Sequence, residues 1–339
     1  MRALVSGHVR SQSVTTVRVR APAKVNLQLS VGPVRDDGYH DLVNVFHAVS
    51  LADELTAVPA DELCVVVEGG AATAVRASRP TPSAVTESTA AMAIDAVPTG
   101  PDNLAAKAAD VLASYLGMEP AVELRIHKAI PVAGGMAGGS ADAAAALVAC
   151  NALWEADLDR DTLLELAASL GSDVPFALLG GTAVGFGRGE QLSPALTRGR
   201  FDWVFALADE GLSTPAVYAE CDRLRADRGT QPDWPQVSEG LMAALAGGDA
   251  EALGRELCND LQPAALTLRP ALRRTLTAGR DLGALGALVS GSGPTCAFLA
   301  RSEDHALDLA VALSGAGVAA SVICAHGPVP GATVLPPPR

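Results

Sequence analysis

The sequence predicts an α+β protein in two parts, with a boundary near residue 200. Three observations lead there. Strand-like and helix-like apolar patterns mix in both halves, with no internal repeat. At 339 residues, 49% hydrophobic and 19% charged, the chain can bury a substantial core as two domains or as one large domain with a subdomain. Within the first half, a glycine-rich stretch runs straight into an alanine-rich helix, which is the local architecture of an anion site.

Residues 16–31, TVRVRAPAKVNLQLSV, alternate apolar and polar on either side of Ala21-Pro22 and read as two strand segments joined at a turn or kink. Further strands are expected over 43–49, 54–58 and 63–67. Residues 69–101 then turn rich in Ala, Thr, Ser, Pro and Gly without a sustained period, so a loop or mobile excursion is expected. Asn103 to Leu116 has helical spacing, with Leu104, Ala108, Val111, Leu112 and Tyr115 on one side. A strand over 122–127 delivers the chain to the glycine loop, and helices over 140–153 and 159–170 follow, the second stopping at Gly171. Gly180 to Gly189 reads as a glycine-broken strand pair and 203–207 as a strand opening the second half. That half carries expected helices near 215–226, 236–246, 249–257 and 269–279. Strands over 286–290 and 295–300 flank a Gly291-Ser292-Gly293-Pro294 turn, and a helix over 303–314, a strand over 318–324 and a proline-rich tail complete the chain.

Composition narrows the partners. The formal charge of −13, from 25 basic and 38 acidic residues, disfavours nucleic acid, so any phosphate site must be local. Cys64, Cys150, Cys221, Cys258, Cys296 and Cys324 are scattered without a C-x-x-C pair, as expected of small thiols in a reduced compartment and not of a disulfide frame or zinc site. No stretch of about 18 apolar residues marks a membrane span, and the first residues lack the apolar core of a signal peptide. A cytoplasmic protein without membrane partners is expected.

The segment Pro131-Val132-Ala133-Gly134-Gly135-Met136-Ala137-Gly138-Gly139-Ser140-Ala141 is the most informative. Glycines let backbone N–H groups approach an oxyanion, and the following helix N-terminus adds unpaired donors and partial positive charge. Ser140 stands where an N-cap or a phosphate-contacting hydroxyl is expected. Gly134 to Gly139 has the G-x-x-x-x-G spacing of a P-loop, but Ser140 follows where that loop needs lysine. The paired glycines also fail the G-x-G-x-x-G dinucleotide fingerprint. A phosphorylated ligand, most simply a nucleotide, is implied; a plain glycine-to-helix junction is the structural alternative.

Other candidates carry two readings each. Lys24, two residues from Asn26 in an apolar strand, either faces a cleft holding negative charge or is an edge lysine that discourages aggregation. Asp173, in Gly171-Ser172-Asp173-Val174-Pro175-Phe176, either takes a proton from a substrate hydroxyl or caps the turn before Pro175. Asp142 reads as a first-turn carboxylate complementing the helix dipole. Asp36-Asp37-Gly38-Tyr39-His40 is either a hairpin end with two surface rings or a platform for a planar ring, and Ser290 to Thr295 is either a tight hairpin or the backbone lining of a ligand cleft.

Together these segments resemble the GHMP kinase superfamily, the small-molecule kinases related to galactokinase, homoserine kinase and mevalonate kinase. The three motifs occur in order: Ala21-Pro22-Ala23-Lys24-Val25-Asn26-Leu27, the loop from Pro131 to Ala144, and Ser290 to Thr295. APAKVNLQLSVGPVRDDGYHDL, LGSDVPFALLGGTAVGFGRGE and SGSGPTCAFLA place the likeness, over about residues 16–325, in the branch acting on a cytidine-diphosphate conjugate of methylerythritol.

The resemblance implies a two-domain GHMP kinase fold with the active site in the cleft between domains: an N-terminal domain over 16–200, a C-terminal domain over 201–335 and an extension over 1–15 expected to be disordered. It implies transfer of the γ-phosphate of ATP, with magnesium, to the 2-hydroxyl of the methylerythritol conjugate, a small-molecule substrate, by a monomer or weak homodimer. The glycine loop would wrap the ATP phosphates, with Asn103 near the adenine. Asp173 would be the catalytic base and Lys24 its neighbour at the reacting oxygen. Asn26, Tyr39 and His40 would serve the acceptor, His40 recognising cytosine and Tyr39 stacking on it. Tyr218, which follows Ser213-Thr214-Pro215, would be the second stacking aromatic, with Thr214 beside it. No carboxylate is marked as a magnesium ligand. Met136-Ala137 departs from the Leu-Gly often found in this loop, and the excursion at 69–101 is longer than the family usually carries. Another kinase of the superfamily, of homoserine or mevalonate type, would not need Asp37 to His40, and a catalytically silent nucleotide-binding protein would not need Lys24 and Asp173.

Overall fold

The computed structural model describes residues 16–69, 97–132, 134–230 and 232–336. The leading segment 1–15, residues 70–96 of the long excursion and Ala133 of the glycine loop lie outside the described residues. In chain order the first half contains β1 (Val17–Val34), β2 (His40–Pro59), β3 (Cys64–Gly69), α1 (Leu104–Leu116), β4 (Val122–Lys128), α2 (Gly138–Leu153), α3 (Arg160–Leu170), α4 (Val174–Leu179), β5 (Thr182–Phe186) and β6 (Gln191–Pro194). The second contains β7 (Phe201–Leu207), α5 (Thr214–Arg228), α6 (Glu239–Gly247), α7 (Ala250–Glu256), β8 (Cys258–Asn259), α8 (Gln262–Leu268), α9 (Ala271–Asp281), β9 (Gly286–Val289), β10 (Cys296–Ala300), α10 (Glu303–Gly315), β11 (Ser321–Gly327) and β12 (Thr333–Val334).

Two sheets organise these elements. The larger runs β12-β1-β2-β4-β3, with β5 on β2, β6 on β5 and β8 on β1. The smaller is antiparallel in the order β11-β7-β10-β9. The late chain returns to the larger sheet twice: β8 pairs in parallel with β1 at Gln28 and Leu29, and β12 pairs antiparallel at Val19 and Arg20. A core of Val, Leu and many Ala, including Ala141 and the run from Ala143 to Ala146, joins α1 and α2 to the larger sheet. Alanine methyls let α2 lie close against its neighbours. The smaller sheet packs its own core against α9 and α10 through Leu272, Leu276, Leu309 and Leu313.

Several expectations change. The two segments either side of Pro22 are one 18-residue strand, and the two expected at 43–49 and 54–58 are one 20-residue strand. They pair along nearly their whole length, with register shifts between Pro22 and Ala23 and between Asn26 and Gln28. Proline has no N–H for the ladder, and a bulge absorbs the irregularity without ending the strand. The glycine-broken pair is β5 and β6, with its turn at 187–190 rather than inside a single 180–189 hairpin. The short helices α4 and α8 were not expected, each having a proline in its first turn. The strand expected over 318–324 begins and ends three residues later, and the proline-rich tail supplies β12 and a bridge from Pro330 to Gly180.

Candidate active site

One cleft of about 1060 Å³ lies between the larger sheet and the second half of the chain. Lys24, Asn26, Tyr39, His40, Asn103, Pro131, Val132, Gly134, Gly135, Ala137, Gly138, Gly139, Ser140, Asp173, Thr214 and Tyr218 all line it. Met136 and Ala141 do not. Both are buried beneath the loop, and the Met136 carbonyl accepts a bond from the Lys24 amide at 3.2 Å, tying the loop to β1.

The loop is launched by Asp53 on β2, whose Oδ1 accepts the amides of Ala129 at 2.6 Å and Ile130 at 2.8 Å. Gly135 has φ +73°, a conformation in which a side chain is strained. The helix begins two residues before the expected start, and its N-cap is Ala137, at φ +61°, not Ser140. Ser140 therefore lies inside the first turn. Among the described residues no side chain caps this terminus, which leaves its first amides unpaired at the cleft, as an anion site requires. Ala137 occupies a left-handed position that Gly or Asn would take more readily.

Asp142 also departs from its expected role. It is buried one turn into α2, where its Oδ2 accepts from Lys128 Nζ at 2.7 Å, and Lys128 also pairs with Asp53. Burial pushes the Asp142 carboxyl well above the usual carboxylate range, against the pull of Lys128. Burial lowers the Lys128 pKa, but Asp142 and Asp53 together outweigh it and leave the ammonium raised. Among the described residues Asp142 Oδ1 has no hydrogen-bond partner.

Asn103 is the N-cap of α1: its Oδ1 accepts from Ala105 at 2.8 Å and Ala106 at 3.3 Å, and its Nδ2 donates to the Pro98 carbonyl at 2.7 Å. Its side chain thus holds the rim of the cleft in place.

Lys24 and Asn26 share one face of β1, as residues two apart must. Lys24 Nζ donates to Asn26 Oδ1 at 2.7 Å, and Asn26 Nδ2 donates to Asn44 Oδ1 on β2 at 2.7 Å. This buried chain aims the ammonium at Asp173, 3.7 Å from Oδ2. Lys24 is buried, with its amide on the loop and its ammonium on Asn26 and Asp173, so the reading of a solvent-facing edge lysine falls. Asp173 precedes α4 but makes no capping bond with its side chain. Its carboxylate is turned to the cleft.

On the opposite wall the Tyr39 and His40 pair divides. Tyr39 is 55% exposed, with the Arg188 guanidinium 5.5 Å above its ring, whereas His40 is buried. The His40 ring lies 5.3 Å from that of Tyr218 at 31°, and its Nε2 is 2.9 Å from Oδ1 of Asp222. Burial raises the Tyr218 phenol. Thr214 Oγ1 and Ser292 Oγ are 2.9 Å apart, joining the start of α5 to the turn between β9 and β10. Asn259 holds that turn by donating to the carbonyls of Val289 and Gly291, each at 2.7 Å.

Asn44, Asp53, Lys128, Arg188 and Asp222 escaped the sequence reading. Asp222 alone left a usable signal, standing four residues after Tyr218 on one helix face. The other four reach the site through strand pairing and turns, which local pattern does not show.

Comparison with known proteins gives the family. The model of the GHMP kinases N terminal domain matches residues 103–181, and that of the GHMP kinases C terminal domain matches residues 241–319. The 4-diphosphocytidyl-2-C-methyl-D-erythritol kinase of Thermobifida fusca is 60% identical over 95% of this chain and 99% of its own length. The chain belongs to this family of GHMP kinases. The kinase of the same name from Mycolicibacterium smegmatis is 54% identical over 98% of this chain and 97% of its own. A crystal structure of 4-(cytidine 5'-diphospho)-2C-methyl-D-erythritol kinase, 34% identical, superposes with a TM-score of 0.69 over 91% of this chain and 98% of that one. A homoserine kinase from Cytophaga hutchinsonii, at 18% identity and a TM-score of 0.68, shares the fold. The motifs singled out in the sequence thus sit in a GHMP kinase cleft, in an enzyme whose family uses ATP.

Proposed function

We propose that the protein transfers the γ-phosphoryl group of ATP to the 2-hydroxyl of 4-diphosphocytidyl-2-C-methyl-D-erythritol, giving the 2-phosphate and ADP. The observation that carries the reading is the meeting, in one cleft, of an uncapped glycine-loop helix, the Lys24–Asp173 pair at 3.7 Å and the His40–Tyr218 ring pair. Family membership at 60% identity favours this acceptor over homoserine or mevalonate.

Phosphoryl transfer needs alignment and charge neutralisation more than covalent help from the protein. The amides of the loop and of the first turn of α2 would bind the ATP phosphates. Asp173 accepts the proton of the acceptor hydroxyl as its oxygen bonds to the γ-phosphorus and the bond to the ADP oxygen breaks. Lys24, held by Asn26, offsets negative charge on the attacking oxygen. Tyr39 and Tyr218 flank the cytosine and His40 hydrogen-bonds its edge.

Among the described residues no three His, Cys, Asp or Glu side chains group to cage a metal ion. Magnesium carried on nucleotide phosphates needs only one or two protein oxygens, and the Ser140 hydroxyl at the first turn of α2, which lines the cleft, fits that need. When bound, it would neutralise charge on the phosphates. The N-terminal domain over 16–200 would supply loop, base and lysine, and the C-terminal domain over 201–335 the turn and Tyr218.

The test is ADP release with ATP and magnesium across three acceptors: the cytidyl conjugate, mevalonate and homoserine. Turnover confined to the cytidyl compound is expected. Turnover of another acceptor overturns the reading of the acceptor wall, and nucleotide binding without turnover of any would favour a catalytically silent protein.

A further inference from the structure

We propose that Asp222 is a positioning residue that makes this enzyme selective for an acceptor base bearing an amino group, by holding the His40 imidazole in one tautomer. The inference rests on the reading above, in which His40 meets the edge of the base.

His40 is the first residue of β2 and is buried, while Asp222 lies on α5, 182 residues away in sequence. Their contact is short, 2.9 Å from Nε2 to Oδ1. A carboxylate oxygen accepts hydrogen bonds and donates none, so Nε2 carries the hydrogen. In the neutral ring the lone pair is then on Nδ1. Among the described residues Nδ1 has no hydrogen-bond partner, and His40 lines the cleft. Tyr218 lies one helical turn before Asp222 and packs on the same imidazole, so α5 supplies both the ring that limits its rotation and the acceptor that sets its proton. Among the described residues no Lys or Arg pairs with Asp222 to draw it away from His40.

In that neutral tautomer, an acceptor at Nδ1 discriminates between pyrimidines. The 4-amino group of cytosine donates to it. The 4-carbonyl oxygen of uracil turns lone pairs toward a lone pair, and a site built around a hydrogen bond rejects a ligand that leaves it unmade. Without Asp222 the proton is free to move to Nδ1, where it would donate to the uracil carbonyl.

The experiment compares kcat and KM of the wild type, Asp222→Ala, Asp222→Asn and Asp222→Glu for the cytidine-diphosphate acceptor and its uridine-diphosphate analogue. In Asp222→Ala the cytidine-to-uridine ratio of kcat/KM should fall by about tenfold, through KM for the cytidyl acceptor, with its kcat kept. Asp222→Glu, which keeps the carboxylate, should recover part of the ratio. Equal losses for both acceptors would mark a merely structural role and overturn the inference, and so would an unchanged ratio. Should Asp222→Ala fail to fold, the near-isosteric Asp222→Asn is read by the same ratio. A wild type that does not turn over the cytidyl acceptor would refute the proposed function; a wild type that does, with a ratio unmoved by every variant, would refute this inference alone.

Discussion

Gly135 and Ser290, 155 residues apart in sequence, meet backbone to backbone: a Cβ placed on Gly135 would lie 2.3 Å from the Ser290 carbonyl oxygen. The Ser290 hydroxyl also donates to the Gly135 carbonyl at 3.2 Å. The glycine loop of the first half is therefore seated on the turn of the second.

Gly135→Ala should strain this seat twice. The residue sits at φ +73°, where a side chain costs about 1–2 kcal/mol, and the methyl would have to displace backbone. A lower melting temperature and a raised KM for ATP are expected, read by thermal unfolding with and without nucleotide and by ADP release. A variant that melts and binds ATP like the wild type would show that loop and turn separate freely.

Asp173→Asn should lower kcat by roughly 10²–10⁴-fold, the usual contribution of a positioned general base, while ATP binding stays close to wild type. Its side chain makes no capping bond, so the start of α4 does not depend on it. Direct nucleotide titration alongside steady-state turnover separates the two effects. Retention of full kcat would remove Asp173 from its role as base.

Tyr39→Ala should act on the acceptor. Tyr39 is more than half exposed in the cleft, and a base–aromatic stack contributes about 1–3 kcal/mol, so acceptor KM should rise while kcat and ATP affinity change little. An acceptor KM equal to that of the wild type would mean that Tyr39 serves only as the partner of Arg188.

His47 makes stability depend on pH. Its ring is fully buried between β5 and the aromatic pair Phe201 and Trp203, with Nδ1 2.8 Å from Thr182 Oγ1, and burial pushes its pKa down to about 3. The unfolded chain binds the proton near pH 6.5 and the folded one does not. The stabilisation is thus complete above about pH 6.5 and is lost as pH falls toward 3, by up to about 1.4 kcal/mol per pH unit. Urea unfolding between pH 7 and 4.5 should show a shallower acid loss in His47→Gln than in the wild type. Parallel curves would assign the acid sensitivity to other groups.

What was legible in the sequence had a local cause. Period-two alternation, the helix face of 103–116 and the glycine-to-helix junction each arise from neighbours along the chain; α1 and β4 appear where those patterns place them, and α2 appears two residues early. The N-cap reading of Ser140 and the first-turn reading of Asp142 fail because the helix starts at Gly138, after Ala137 enters a left-handed conformation that its own propensity opposes. The break expected at Pro22 is bridged because β1 and β2 pair on both sides of it.

The sequence by itself determined the α+β class, the three ordered motifs, the family to which they belong and most of the side chains that face the cleft. Only the tertiary structure decided how these parts meet: Lys24 aimed at Asp173 through Asn26 and Asn44, Lys128 placed between Asp53 and Asp142, and His40 fixed by Asp222. The reason is physical. Turn chemistry and periodicity are set within a few residues, whereas a hydrogen bond across 182 residues exists only once two cores have packed and their sheets have taken one register.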